Sequence, residues 1–65
     1  MNLSLKMAIL EKYGKQYRFA DEVGVDEVTL SRIVNGRREL NTEERLRWAE
    51  ILGRKPEELF DNGER

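Results

Sequence analysis

The sequence predicts an all-α fold of five short helices packed as one compact domain, and three observations carry the prediction. Apolar residues recur at three- and four-residue steps along the chain, the spacing of amphipathic helices. Gly14, Gly24, Gly36 and Gly53 interrupt those stretches where helices would stop. No segment alternates apolar and polar residues as a strand does; Val23, Val25, Val28, Ile33 and Val34 fall on helical spacing or in a turn.

In the first element Leu5, Ile9 and Tyr13 recur every four residues, with Met7, Ala8 and Leu10 widening the stripe, so a helix is expected from about Ser4 to Tyr13. A second runs from about Gln16 to Val23 and stops at Gly24. The third opens at Asp26, whose carboxylate caps free N–H groups and suits the positive end of the helix dipole, and ends near Asn35. Asn41 with Glu44 three residues on forms a capping-box variant opening a fourth helix, in which Leu46, Ala49 and Leu52 share a face. Pro56 starts a last short helix, and Leu59 and Phe60 give it an apolar side. The core thus spans about 4–60, with 61–65 a frayed tail. Trp48 and Tyr17 are expected as partial lids on the core or as part of a self-association surface.

Between Gln16 and Asn35, the residues Phe19, Ala20, Val23, Gly24, Val25, Leu30 and Ile33 have the spacing of a helix-turn-helix. Ala20 is small where two backbones approach, and Gly24 tolerates the positive φ that ends the first helix of the unit. Such a unit usually serves to place its second helix in the DNA major groove.

Composition narrows the function classes. A 65-residue chain has room for one small core, and with neither cysteine nor histidine it has no disulfide framework and no thiolate metal site. Ser4, Thr29, Ser31 and Thr42 lack a base to activate them, and the acidic residues lack metal-loop spacing, so no enzyme, metal, cofactor or small-molecule ligand is expected. No apolar run spans a bilayer and no signal peptide is evident, which makes a cytoplasmic location the default expectation. Twelve Lys and Arg against 13 Asp and Glu is not the balance of a basic nucleic-acid binder, but the distribution is uneven. Residues 1–40 carry seven cations (Lys6, Lys12, Lys15, Arg18, Arg32, Arg37, Arg38) and six anions, net +1, against five cations and seven anions, net −2, in 41–65.

The segments Gln16-Tyr17-Arg18-Phe19-Ala20, Gly24-Val25, Leu30-Ser31-Arg32-Ile33 and Asn35-Gly36-Arg37-Arg38, with the later Leu52-Gly53, resemble the Cro and lambda-repressor family, also called XRE. The resemblance covers about Leu5 to Phe60. It implies a five-helix DNA-binding domain of bacterial and phage transcription regulators, with helices two and three as the helix-turn-helix and residues 26–35 as the recognition helix. Members usually act as dimers on palindromic operators, so the expected role is a small repressor that binds double-stranded DNA as a homodimer, at least on DNA.

Position by position, the resemblance implies that Gln16 bonds a phosphate at the start of helix two, the competing reading being an ordinary exposed glutamine. Glu27, Val28 and Arg32 match base-facing positions, with Ser31 and Thr29 nearby; Ser31 is counted with the base contacts and Thr29 with the phosphate contacts. Arg32 can donate two hydrogen bonds to guanine, and Val28 can meet a thymine methyl unless it is buried. Glu27 either accepts from a cytosine amino group or, the favoured reading, serves the helix dipole. Asn35, Arg37 and Arg38 match the segment that tracks the phosphate backbone, and Lys15 and Arg18 are weaker candidates for the same surface.

Two departures from the family pattern stand out. Lys55 is a poor N-cap, which predicts a marginal final turn, and Ile9 with Val34 would make apolar a junction that some members bridge with an ion pair. The rival to DNA binding is a protein-interaction module, an antitoxin or adaptor, using Trp48, Leu59, Phe60 and the acidic carboxyl half as its surface.

Overall fold

Asn2 begins the first helix and fastens it to two others. In a computed structural model that describes residues 1–60, its side-chain oxygen accepts from the Leu5 N–H at 3.0 Å and its amide donates to the Leu59 carbonyl at 2.5 Å. Its backbone N–H donates to the Val34 carbonyl at 2.6 Å. The helix so anchored, α1 (Leu3–Tyr13), is followed by α2 (Gln16–Val23), α3 (Glu27–Val34), α4 (Thr42–Leu52) and α5 (Pro56–Phe60), with no strand among the described residues. The tail expected at 61–65 lies outside the described residues.

Local chemistry sets each boundary. Asp26 caps α3, and Asn41 and Glu44 form a reciprocal capping box at α4, with bonds of 2.8 and 3.1 Å. At Gly24 the chain turns left-handed (φ 80°), letting the Val25 N–H reach back to the Ala20 carbonyl at 3.0 Å while half-buried Val25 packs on the core. Arg47 donates to the Val23 carbonyl at 3.5 Å, serving one of the carbonyls that the end of α2 leaves without a helical partner. The last helix is five residues long and Lys55 gives it no side-chain cap; instead Glu58 accepts from the Lys55 N–H at 3.3 Å, half of a capping box.

The core draws on every helix: Leu5, Ala8 and Ile9 from α1, Phe19, Ala20 and Val23 from α2, Leu30, Ile33 and Val34 from α3, Trp48, Ala49 and Leu52 from α4, and Leu59 from α5. Phe19 is at its centre, edge-on to Tyr13 at 5.3 Å and to Trp48 at 5.0 Å between ring centroids. Burial, and secondarily Glu22, raises the Tyr13 phenol above its ordinary pKa. Ile9 and Val34 are both buried, so the junction of α1 and α3 is apolar as the sequence indicates.

Three packing expectations are corrected. Trp48 is no lid: it is 2% exposed and fills the middle of the α4 face. That rotation of α4 leaves Leu46 54% exposed, because at about 100° per residue it falls outside the arc shared by Trp48, Ala49 and Leu52. Met7 is likewise 50% exposed, on the side of α1 opposite Leu5 and Ile9. Outside the core, Arg54 pairs with Glu11 and Lys12 donates to the Ile51 carbonyl, tying the end of α4 to α1.

Candidate nucleic-acid interface

The start of α2 differs chemically from the other long helices. Asn2, Asp26 and Asn41 cap α1, α3 and α4 through their side chains, whereas Lys15, extended at φ −140° and ψ 146°, makes no side-chain cap for α2. No acidic residue occupies the first turn of α2 either. The Arg18 N–H turns back to the Lys15 carbonyl at 3.3 Å, and no side chain among the described residues serves the N–H groups of Gln16 and Tyr17 or offsets the positive end of the dipole, beside exposed Lys15 and Arg18. The Lys15 ammonium also lies 5.9 Å from the Tyr17 ring centroid.

The turn at Gly24 and Val25 carries the chain from α2 into α3, whose inner face holds Leu30, Ile33 and Val34 in the core. Its outer face must then carry Glu27, Val28, Ser31 and Arg32, all exposed. Val28 is 63% exposed, so the competing reading of this valine as a core residue is wrong. The Asp26 carboxylate accepts from the Thr29 N–H at 2.6 Å. That bond, then one from the Thr29 side chain, holds its pKa below the ordinary aspartate value, with Arg32 and Arg38 adding smaller contributions.

Beyond α3, Gly36 takes a left-handed φ of 78°, and the Arg37 N–H bonds back to the Arg32 carbonyl at 2.8 Å while the Gly36 N–H reaches Ile33 at 3.1 Å. This double closure, which a side chain at position 36 would strain, folds Arg37 back beside Arg32. Asn35, at the helix end, donates weakly to the Ser31 hydroxyl at 3.4 Å.

These constraints bring together residues far apart in sequence. Gln16, Glu27, Val28, Ser31, Arg32, Asn35 and Arg37 line one open concavity between the start of α2 and the outer face of α3. Every residue lining it was a candidate from sequence. Lys15, Arg18, Thr29 and Arg38 do not line it. Thr29 is half-buried and commits its N–H to Asp26, and Arg38 lines a separate depression with Asn2, Glu39 and Arg45. The sequence reading missed the supports behind this surface, Arg47 on the end of α2 and Asn2 on the end of α3. Neither leaves a local signal, since the Arg47 partner is 24 residues away.

The same burial pattern takes two residues out of the surface expected for a protein-interaction module, while its acidic residues on α4 and α5 stay on the surface. Trp48 and Leu59 are 2% and 1% exposed, leaving only Phe60, half-buried, of its three apolar members. Among the described residues no helix is long and apolar enough to cross a membrane.

Compared with known proteins, the chain matches a family described as helix-turn-helix over residues 5–59. No curated protein and no solved structure matches it. The match begins at Leu5 on α1 and ends at Leu59 on α5, so it takes in the whole helical core around the α2–turn–α3 unit: the chain belongs to the XRE-type helix-turn-helix family, a family of DNA-binding domains of transcription-regulator type.

Proposed function

We propose that this chain is a sequence-specific binder of double-stranded DNA, a small bacterial or phage transcriptional repressor working in the cytoplasm as one domain. Helix α3 enters the major groove, where Arg32 pairs with guanine, Val28 meets a thymine methyl, and Ser31 and Glu27 face neighbouring base edges. Gln16 and the open start of α2 hold one phosphate, and Asn35 and Arg37 hold the backbone beyond α3. Lys15, Arg18, Thr29 and Arg38, outside the concavity, add electrostatic or peripheral phosphate contacts. Two copies bind a palindrome with half-sites about 10 base pairs apart.

The observation that carries this reading is the concavity itself. Gln16 and Arg37, 21 positions apart in the chain, are both on its lining with the outer face of α3 between them, a spread of groups suited to two phosphates flanking a set of bases. Net charge of −1 supplies little general attraction to DNA, so affinity has to come from these few contacts.

Selection of bound duplexes from a random pool tests it. The expected product is an inverted repeat with a guanine that Arg32→Ala no longer requires, at a cost of about 1–3 kcal/mol in discrimination at that position. Recovery of no enriched sequence would reject specific recognition, and an unchanged preference in Arg32→Ala would remove Arg32 from the reading set.

A further inference from the structure

Glu27 and Val28 are neighbours on the first turn of α3, both exposed and both on the lining of the concavity. We propose that together they read one modified base, 5-methylcytosine, so that cytosine-C5 methylation of the bound site strengthens binding. This rests on the reading of α3 as the helix that enters the major groove.

Val28 is an unfavourable choice for its position on grounds of folding. A β-branched residue is a poor helix former, α3 has only eight residues, and at 63% exposure the side chain gains little from the core. What it offers is two methyl groups on a stiff stem, because valine in a helix keeps largely to a single χ1 rotamer. Such a surface complements a methyl group projecting into the major groove, which a base pair presents where position 5 of its pyrimidine carries one.

Glu27 supplies a polar group beside it. The start of α3 already has the Asp26 carboxylate, which accepts from the Thr29 N–H at 2.6 Å. Glu27 makes no side-chain hydrogen bond or ion pair among the described residues, so its carboxylate is open to an incoming donor. Against the floor of the groove it gains from an amino group and is repelled by a carbonyl oxygen, a device that rejects the wrong base as much as it favours the right one.

Of four pyrimidine edges, one matches both side chains. Cytosine presents its N4 amino group without a methyl, thymine presents a methyl beside the O4 carbonyl, and uracil has neither amino group nor methyl. In 5-methylcytosine the amino group and the methyl are on adjacent ring atoms. Glu27 and Val28, with Cα atoms about 3.8 Å apart, set a flexible carboxylate arm beside a stiff apolar one. Thymine therefore satisfies Val28 alone and cytosine Glu27 alone, which makes unmodified DNA a partial ligand. Val28 also precedes Arg32 by four positions, on one stripe of the helix, which puts the methylated base near the guanine that Arg32 takes.

Affinities of the full chain for four versions of a selected duplex test the pairing. Each recognised pyrimidine in turn is made cytosine, 5-methylcytosine, thymine or uracil, with the complementary purine opposite. At one position wild type should prefer each methylated base to its unmethylated counterpart by about fourfold, the worth of one buried methyl group. At that same position it should prefer 5-methylcytosine to thymine by about tenfold, the worth of a hydrogen bond to a charged acceptor. Val28→Ala should remove the methyl preference and keep the amino preference; Glu27→Gln, whose amide meets either edge, should do the reverse. Equal affinity for cytosine and 5-methylcytosine at every position would overturn the proposal. So would methyl and amino preferences that fall at different positions, or a methyl preference undiminished in Val28→Ala. Wild type that binds none of the duplexes would instead defeat the DNA reading itself.

Discussion

The inner and outer faces of α3 share eight residues and one set of backbone bonds, yet they answer to different physics. Leu30, Ile33 and Val34 are 0%, 6% and 3% exposed and make the helix part of the core. Val28 is 63% exposed, and with Glu27, Ser31 and Arg32 it contributes little to holding the fold together. The inner face fixes where the helix sits, and the outer face is free to vary in chemistry because stability does not depend on it. A mutation on one face should therefore change folding and on the other only binding.

The largest test of that separation is Leu30→Ala. Removing a fully buried leucine costs about 2–5 kcal/mol, a large share of the roughly 3–10 kcal/mol available to a chain of this length, so its thermal melt should collapse or broaden. By contrast Val28→Ala should melt within about 0.5 kcal/mol of wild type, measured by circular dichroism. Equal effects at the two positions would break the comparison.

This division also explains what could be read from the sequence. Apolar spacing located α2 to the residue and α3 to within its caps, because Phe19, Ala20, Val23, Leu30 and Ile33 are placed by burial, which leaves a periodic trace. The same logic failed on α4, where leucine is the more usual core residue but Trp48 took the centre and turned Leu46 outward; hydrophobicity alone does not say which of two neighbouring apolar residues wins. The outer face of α3 has no periodic trace of its own. The candidates came from resemblance, Arg32 on that face, Gln16 at the start of α2 and Arg37 beyond α3, and the fold gathers those three around one concavity while leaving Arg38 outside. Two of the three attachments of Asn2 were illegible, since Val34 and Leu59 come beside it only in the folded chain; the third, its cap on the Leu5 N–H, is local.

Asn2 sharpens the comparison from behind α3. Asn2→Ala loses the cap of α1 and the bond to Leu59, about 1–2 kcal/mol together, while the backbone bond to Val34 remains. Chemical denaturation should show that loss with the midpoint shifted and the slope unchanged. Because Asn2 supports the end of α3 through its backbone, which the substitution leaves in place, duplex affinity at temperatures well below the melt should stay near wild type; a specific binding defect there would mean the outer face depends on the side-chain tether.

Acid should give the smallest effect. The folded pKa of Asp26 is lowered by its bond to Thr29, so its contribution to stability is present above the ordinary aspartate pKa and is lost as pH falls through the folded value. Asp26→Asn keeps a capping oxygen that does not titrate. Thermal melts of the two proteins should be close at neutral pH, with wild type losing more on acidification; identical acid profiles would show that this cap carries no pH dependence.

Salt dependence of duplex binding tests the central claim most directly. If the start of α2 and the segment just beyond α3 grip phosphates, log affinity should fall linearly with log salt between about 50 and 200 mM, and Arg37→Ala should flatten the slope by about one without changing the melt. Absence of duplex binding at the lowest salt, or a slope identical in wild type and Arg37→Ala, would contradict it.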